Sequence, residues 1–224
     1  MENSEKTYSL FDRNLRELIK NLNFIEDYIY IGGLAIQSYI LAIKAGNIKK
    51  IDLSHFDSLA DNNEINLLFP RKVSDIDILT IEYQRDNIKE HLKKKGIRFI
   101  EGDVLWNDYL IYVYLNNEEY KIHPLTIPKN NLYNFYSSCV RNADELILFN
   151  KEDKLRIKLP KLEDLVLMKE IAGRERDLKD ISLIEYVLKA NNQEKNLDIN
   201  YLKGRLNLIN IEPKSAFIKN LLID

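Results

Sequence analysis

Cysteine occurs only once in the 224 residues, at position 139. A disulfide framework or a cysteine-based zinc site within one chain is therefore excluded. No stretch approaches the roughly 18 uninterrupted apolar residues of a membrane span. The first residues also lack the apolar core of a signal peptide, so the expectation is a cytoplasmic protein with no membrane partner. Charge of one sign is missing too: 33 Lys and Arg against 35 Asp and Glu leave a net charge of −2. Any basic surface must be local, as at Lys49-Lys50 or Lys93-Lys94-Lys95, and such runs read equally well as solvated loops or helix ends. Internal repeats and low-complexity tracts are absent. What remains is a chain with 45% hydrophobic residues, enough core for one large domain or a domain with a smaller appendage.

Periodicity predicts an α/β front and an all-helical back. A helix is expected over residues 9–22, a short strand over 28–31, a helix over 34–45 closed by Gly46, and a strand over 73–82. Next come a surface helix over 84–95 and several strands between 99 and 127, with Asn116-Asn117-Glu118-Glu119 as a hairpin connection. Residues 47–70 read as a polar insertion holding about one helical turn, and 130–144 as a mixed stretch. Short strands follow at 146–149 and 155–159. After Pro160 the pattern is helical at 162–172, 175–189, 197–209 and 216–222. The division drawn is 1–155 for the α/β core and 156–224 for the helical region.

The stretch YIYIGGLAIQSYI (residues 28–40) is a strand, a Gly-Gly turn and a helix. Gly32 and Gly33 have no Cβ, so the turn permits either tight packing or a close backbone approach to an anion at a helix N-terminus. The Lys-Ser/Thr pair of a P-loop and the GxGxxG pattern are both missing. RKVSDIDIL (residues 71–79) puts Asp75 and Asp77 at i and i+2 of a strand, hence on one face. Two such carboxylates repel each other unless a cation lies between them, and Mg²⁺ is commonly held by one or two carboxylates plus substrate phosphates. The triplet alone is weak evidence, because Glu101-Gly102-Asp103 and Glu175-Arg176-Asp177 repeat it.

A third block is LPKLEDLVLMKEIAGRERDLKDISLIEYVL (residues 159–188). At about 100° per residue, Lys169 falls inside the apolar stripe of the first helix. Asp177 falls near the centre of the second helix's stripe and Asp180 near its edge. Inward-facing charges must be paired or must line a cavity. Two readings stay open: a salt bridge joining two helices, or groups reaching a cleft.

The three blocks, in this order, resemble the nucleotidyltransferase superfamily with the DNA polymerase beta-like fold, and within it the AbiEii-like toxin nucleotidyltransferases. There a Gly-Gly or Gly-Ser turn precedes an Asp-x-Asp strand. The C-terminal helices carry a lysine followed by R-x-R/K-D-x-x-D, matched here by Lys169 and Arg174-Glu175-Arg176-Asp177-Leu178-Lys179-Asp180. The resemblance implies an α+β fold, with a mixed sheet flanked by helices and followed by a helical region. It implies Mg²⁺ (or Mn²⁺) on Asp75 and Asp77, and a nucleoside triphosphate as substrate. Catalytic roles would fall to Asp75, Asp77, Lys169 and Asp177, and nucleotide contacts to Gly32, Gly33, Arg71, Ser74 and Lys169. The acceptor would be an RNA 3′ end such as that of tRNA, or a protein side chain, in a toxin–antitoxin or phage-defence pair with an antitoxin as partner. Two departures stand out. His123 in YKIHPL occupies the place of a third carboxylate, as ligand, base or structural residue, and residues 47–70 lengthen the gap between glycines and aspartates.

Two other classes compete. One is a catalytically degenerate member that binds nucleotide or a partner protein. The other is a metal-dependent glycosyltransferase, disfavoured because only one strand and two helices precede Asp75, where that class needs a longer alternating run.

Overall fold

The computed structural model describes residues 9–56, 73–103, 109–151 and 153–223. Eight strands and eight α-helices lie among them, in a mixed α+β arrangement. A five-stranded sheet has the order β1(Tyr28–Tyr30), β3(Ile76–Thr80), β6(Glu118–Thr126), β5(Tyr109–Leu115), β4(Arg98–Asp103). Within it only β3 and β6 are parallel; the other neighbours are antiparallel. A second sheet of three strands joins β2(Lys50–Asp52) in parallel to β7(Asp144–Phe149), which pairs antiparallel with β8(Lys154–Leu159).

Helix α1(Arg13–Leu22) starts later than its apolar pattern suggested, because the Asp12 carboxylate accepts hydrogen bonds from the amides of Asn14 and Leu15 and caps the first turn. Its stripe of Leu15, Leu18, Ile19 and Leu22 is buried. Helix α2(Gly32–Lys44) starts earlier than expected, at Gly32, and residues 33–43 are buried without interruption. A helix apolar on all sides belongs in the centre of a core rather than on its surface. The surface helix α3(Arg85–Lys94) buries only Ile88 and Leu92.

Two expectations required correction. Residues 47–56 do not stand outside the fold: Lys50–Asp52 form β2, in register with β7 from Lys50↔Ile147 to Asp52↔Phe149, and a 3₁₀ turn follows at Leu53–Phe56. The rest of the expected insertion, 57–70, lies outside the described residues. The stretch 130–144 contains helix α4(Tyr133–Arg141), with Phe135, Cys139 and Val140 buried.

The helices after β8 are α5(Leu162–Ala172), α6(Glu175–Ala190), α7(Ile199–Ile209) and α8(Ala216–Ile223). Helix α5 packs against α6 and α7, and α2 packs against both α6 and β3, so the helical region closes on the larger sheet near Gly32. No described helix is long and apolar enough to cross a membrane.

The β5–β6 connection is a two-residue hairpin in which Asn116 and Asn117 adopt φ 51° and 64°. Left-handed backbone at both central positions suits the right-handed twist of a hairpin, and asparagine tolerates it. Asn117→Val is expected to cost about 1–2 kcal/mol, read as a lower urea midpoint with an unchanged slope.

Candidate functional site

The site begins where β1 ends. The Ile31 amide donates to the Asp77 carbonyl at 3.0 Å, which carries the β1–β3 ladder one residue further. The chain then turns at Gly32, with φ +65°, into α2. That turn brings the Gly32 backbone against the Asp77 carboxylate so closely that a Cβ on residue 32 would lie 2.0 Å from Asp77 Oδ2. Only glycine fits, both for space and for its left-handed backbone. The residue before the helix, Ile31, supplies no side-chain cap to the first-turn amides. Gly32 and Gly33 line a cleft of ≈ 530 Å³, and uncapped amides at a helix N-terminus facing a cleft are suited to an anion.

Asp77 and His123 are register partners on the parallel strands β3 and β6. His123 Nδ1 lies 3.2 Å from Asp77 Oδ1. Pairing between β5 and β6 runs from Ile111↔Ile122 to Leu115↔Glu118. The next residues of β6, His123 and Pro124, therefore lie where that strand pairs with β3 alone, the position in a sheet that tolerates proline. Asp75 sits just before β3, and the Ser74 hydroxyl donates to its Oδ1 at 3.0 Å. Burial, and then repulsion from Asp77, push the Asp75 carboxyl above its ordinary value despite the opposing effects of Ser74, His123 and Arg176.

Asp75, Asp77 and His123 form a group whose potential ligand atoms all lie within 4.8 Å of one another. Two carboxylates and an imidazole on one face are an acceptable donor set for a divalent cation. Burial first and repulsion from Asp77 second raise the proton affinity of Asp75, and a cation between the two carboxylates would relieve the second.

The opposite wall comes from α5 and α6. Gly173, in the left-handed conformation with φ 59°, ends α5 and lets the chain reverse into α6. Lys169 Nζ reaches Asp177 Oδ1 at 3.1 Å and Asp180 Oδ2 at 2.8 Å, and all three side chains are buried. Arg174, more than half exposed, donates to both oxygens of Asp177. Burial alone would raise the Asp177 carboxyl, but hydrogen bonds and charge from Arg174 and Lys169 hold it below its ordinary value. The two readings of these charges are thus both realised: they join two helices, and Lys169 and Asp177 also line the cleft.

The residues singled out from the sequence converge to different degrees. Gly32, Gly33, Asp75, Asp77, His123, Lys169 and Asp177 line one cleft. Ser74 and Asp180 stand behind it, each bound to a lining residue. Arg71 lies outside the described residues. Of the competing acid-x-acid triplets, Glu101 is taken up by Arg85 and Lys89, and Glu175 by Lys179.

Among the lining residues given no role from the sequence are two arginines and a tyrosine. Arg174 and Arg176 were visible in the helical motif, and Tyr136 belongs to the unexpected helix α4. Leu125, Leu165 and Met168 make the neighbouring part of the wall apolar. Comparison with protein-family models, curated proteins and solved structures gave no significant match.

Two outcomes follow for stability. Asp177→Asn leaves a buried ammonium short of one partner and is expected to cost on the order of 3 kcal/mol in urea denaturation. Because the Asp177 carboxyl is held low in the fold, its contribution is fully present above the ordinary value of 3.8 and is lost as pH falls through its depressed folded value. The stability gap between wild type and Asp177→Asn should therefore stay constant at higher pH and narrow below about 3.8. Gly32→Ala should destabilise clearly more than Gly96→Ala. Position 96 has a similar φ of +68° but nothing within 4 Å of an added Cβ, so the excess in paired urea titrations reports the clash with Asp77.

Proposed function

We propose that this protein is a metal-dependent nucleotidyltransferase of the polymerase beta-like superfamily, akin to the AbiEii-like toxins. It would move a nucleoside monophosphate from a nucleoside triphosphate to an acceptor hydroxyl. The observation that carries this reading is a single cleft lined by Asp75, Asp77 and His123 from the sheet, by Gly32 and Gly33 at an uncapped helix start, and by Lys169, Arg174, Arg176 and Asp177 from the helices.

In this scheme Asp75 and Asp77 hold a divalent ion, Mg²⁺ or Mn²⁺. When bound, the ion supplies positive charge against the phosphate oxygens. The Gly32 and Gly33 amides cradle phosphate. Arg174 and Arg176 contribute positive charge from the opposite wall, with Lys169 behind them in its pair of aspartates. Asp177, whose proton affinity is lowered, is a weak base and acts by orienting Lys169 and Arg174. The acceptor oxygen bonds to the α-phosphorus, the bond from that phosphorus to the bridging oxygen breaks, and pyrophosphate leaves with the electron pair. The acceptor's proton passes to water. Tyr136, Leu165 and Met168 offer the apolar surface on which a nucleobase can rest. By resemblance the acceptor is an RNA 3′ end, such as that of tRNA, or a protein side chain, and an antitoxin protein restrains the activity.

A second reading is favoured by one observation. Lys169 is already engaged by two carboxylates, which suits a protein that binds nucleotide or a partner without transferring.

The test is incubation with each α-³²P-labelled nucleoside triphosphate, Mg²⁺ or Mn²⁺, and total RNA or protein extract. Label should enter one acceptor class, and Asp75→Asn or Asp77→Asn should reduce incorporation by about a hundred-fold or more. If a triphosphate raises the melting temperature yet no label transfers, the binding-only reading replaces the transferase. If neither occurs, the transferase and the nucleotide-binding readings both fail.

A further inference from the structure

We infer that the cation centre of this cleft is a mixed nitrogen–oxygen site. His123 supplies its third ligand, and the centre selects a first-row transition-metal dication, with Mn²⁺ as the probe, over Mg²⁺. The role of that ion in transfer rests on the nucleotidyltransferase reading, but its selection is a property of the donors alone.

The donors are held in place from three directions. β3 and β6 set Asp77 opposite His123 in register, so both side chains leave one face of the sheet. The Gly32 backbone presses on the far oxygen of Asp77, while the near oxygen faces His123 Nδ1 at 3.2 Å. The carboxylate is confined between a glycine and an imidazole and has little room to turn away. Asp75 completes the group, steadied by the Ser74 hydroxyl at 3.0 Å. The side chains of Asp77 and His123 keep only 18% and 17% of their surface exposed, so replacing imidazole by a fully hydrated ligand sphere is disfavoured.

Chemistry then decides among ions. Mg²⁺ takes oxygen ligands almost exclusively and keeps several waters, whereas imidazole suits transition metals, whose affinities for nitrogen-containing sites rise along the Irving–Williams series. A centre of three oxygen ligands would leave Mg²⁺ competitive. Exchanging one carboxylate for a histidine removes a negative charge, on which Mg²⁺ depends, and adds the donor that Mn²⁺ accepts.

The experiment uses the full chain after treatment with a chelator. Mn²⁺ is titrated and followed by loss of the free-ion electron paramagnetic resonance signal, with Mg²⁺ as competitor. Electron spin echo modulation then reports any nitrogen bound to the ion. The expected result is one coupled nitrogen and at least about ten-fold tighter binding of Mn²⁺ than Mg²⁺. His123→Asp should abolish the nitrogen signal and shrink the preference by about ten-fold. His91→Asn should leave both unchanged, since His91 stacks on Phe24 at 3.9 Å, outside the cleft. If circular dichroism shows His123→Asp unfolded, the wild-type chain labelled with [¹⁵N]histidine decides alone, because a bound imidazole must change its modulation frequency. Mn²⁺ bound without nitrogen coupling, Mg²⁺ bound as tightly as Mn²⁺, or no uptake of Mn²⁺ would each overturn the inference. Nitrogen-coupled Mn²⁺ without label transfer sinks only the transferase reading. Transfer with Mg²⁺ and no nitrogen coupling sinks only the metal selection.

Discussion

Helix α5 is buried at every position from 162 to 170, and four of those residues carry charge. Each charge is matched to a different part of the helical region. Glu163 accepts the Asp198 amide at the start of α7 at 2.6 Å. Asp164 binds Arg205 at 2.7 Å and the Tyr201 hydroxyl at 2.8 Å, both on α7. Lys169 binds Asp177 and Asp180 on α6, and Glu170 accepts the amides of Lys214 and Ser215 ahead of α8. A buried charge without a partner costs several kcal/mol, so α6, α7 and α8 can settle on α5 only where these pairs form. Hydrophobic packing supplies the attraction here, while the charges fix the register. The position of the cleft's helical wall follows from that requirement.

Lys169 consequently serves two purposes. Its ammonium fastens α6 to α5, and the same residue lines the cleft that Asp75 and Asp77 also line. The two walls already influence each other: burial and Asp77 raise the proton affinity of Asp75 against a smaller opposing effect of Arg176, and Asp77 adds to the raise that the Asp177 hydrogen bond gives Arg174. Asp75, Asp77 and His123 line the cleft from the sheet, Lys169, Arg174, Arg176 and Asp177 line it from the helices, and the Gly32-Gly33 turn lines it too.

Much of this was legible in the sequence, for identifiable reasons. Helix α5 was read with its observed bounds because Pro160 precedes it and Gly173 ends it in a left-handed cap. The i, i+2 spacing put Asp75 and Asp77 on one strand face, and the apolar stripes turned Lys169 and Asp177 inward; that they meet at one cleft was an expectation from the family resemblance rather than from periodicity. Other features carried no local signal. Strand β2 has three residues, of which only Ile51 is buried, and its partner β7 lies far along the chain. Helix α4 is rich in tyrosine and serine, which dilute its apolar stripe. Glu163, Asp164 and Glu170 look like the solvated side of an amphipathic helix, because a wheel has no means of showing that α5 is enclosed on all sides. Asp180 was placed near the stripe edge and is found behind Lys169, a depth that depends on the packing of α6 rather than on its periodicity.

The chain supplies the two walls of its cleft one after the other. During synthesis the strands bearing Asp77 and His123 leave the ribosome well before α5 and α6. A nascent chain can thus assemble the strand-borne carboxylates and the Gly32 turn before Arg174 and Arg176 have been made. The cleft is complete only when α5 and α6 are in place, so the order of translation sets when the finished groove exists.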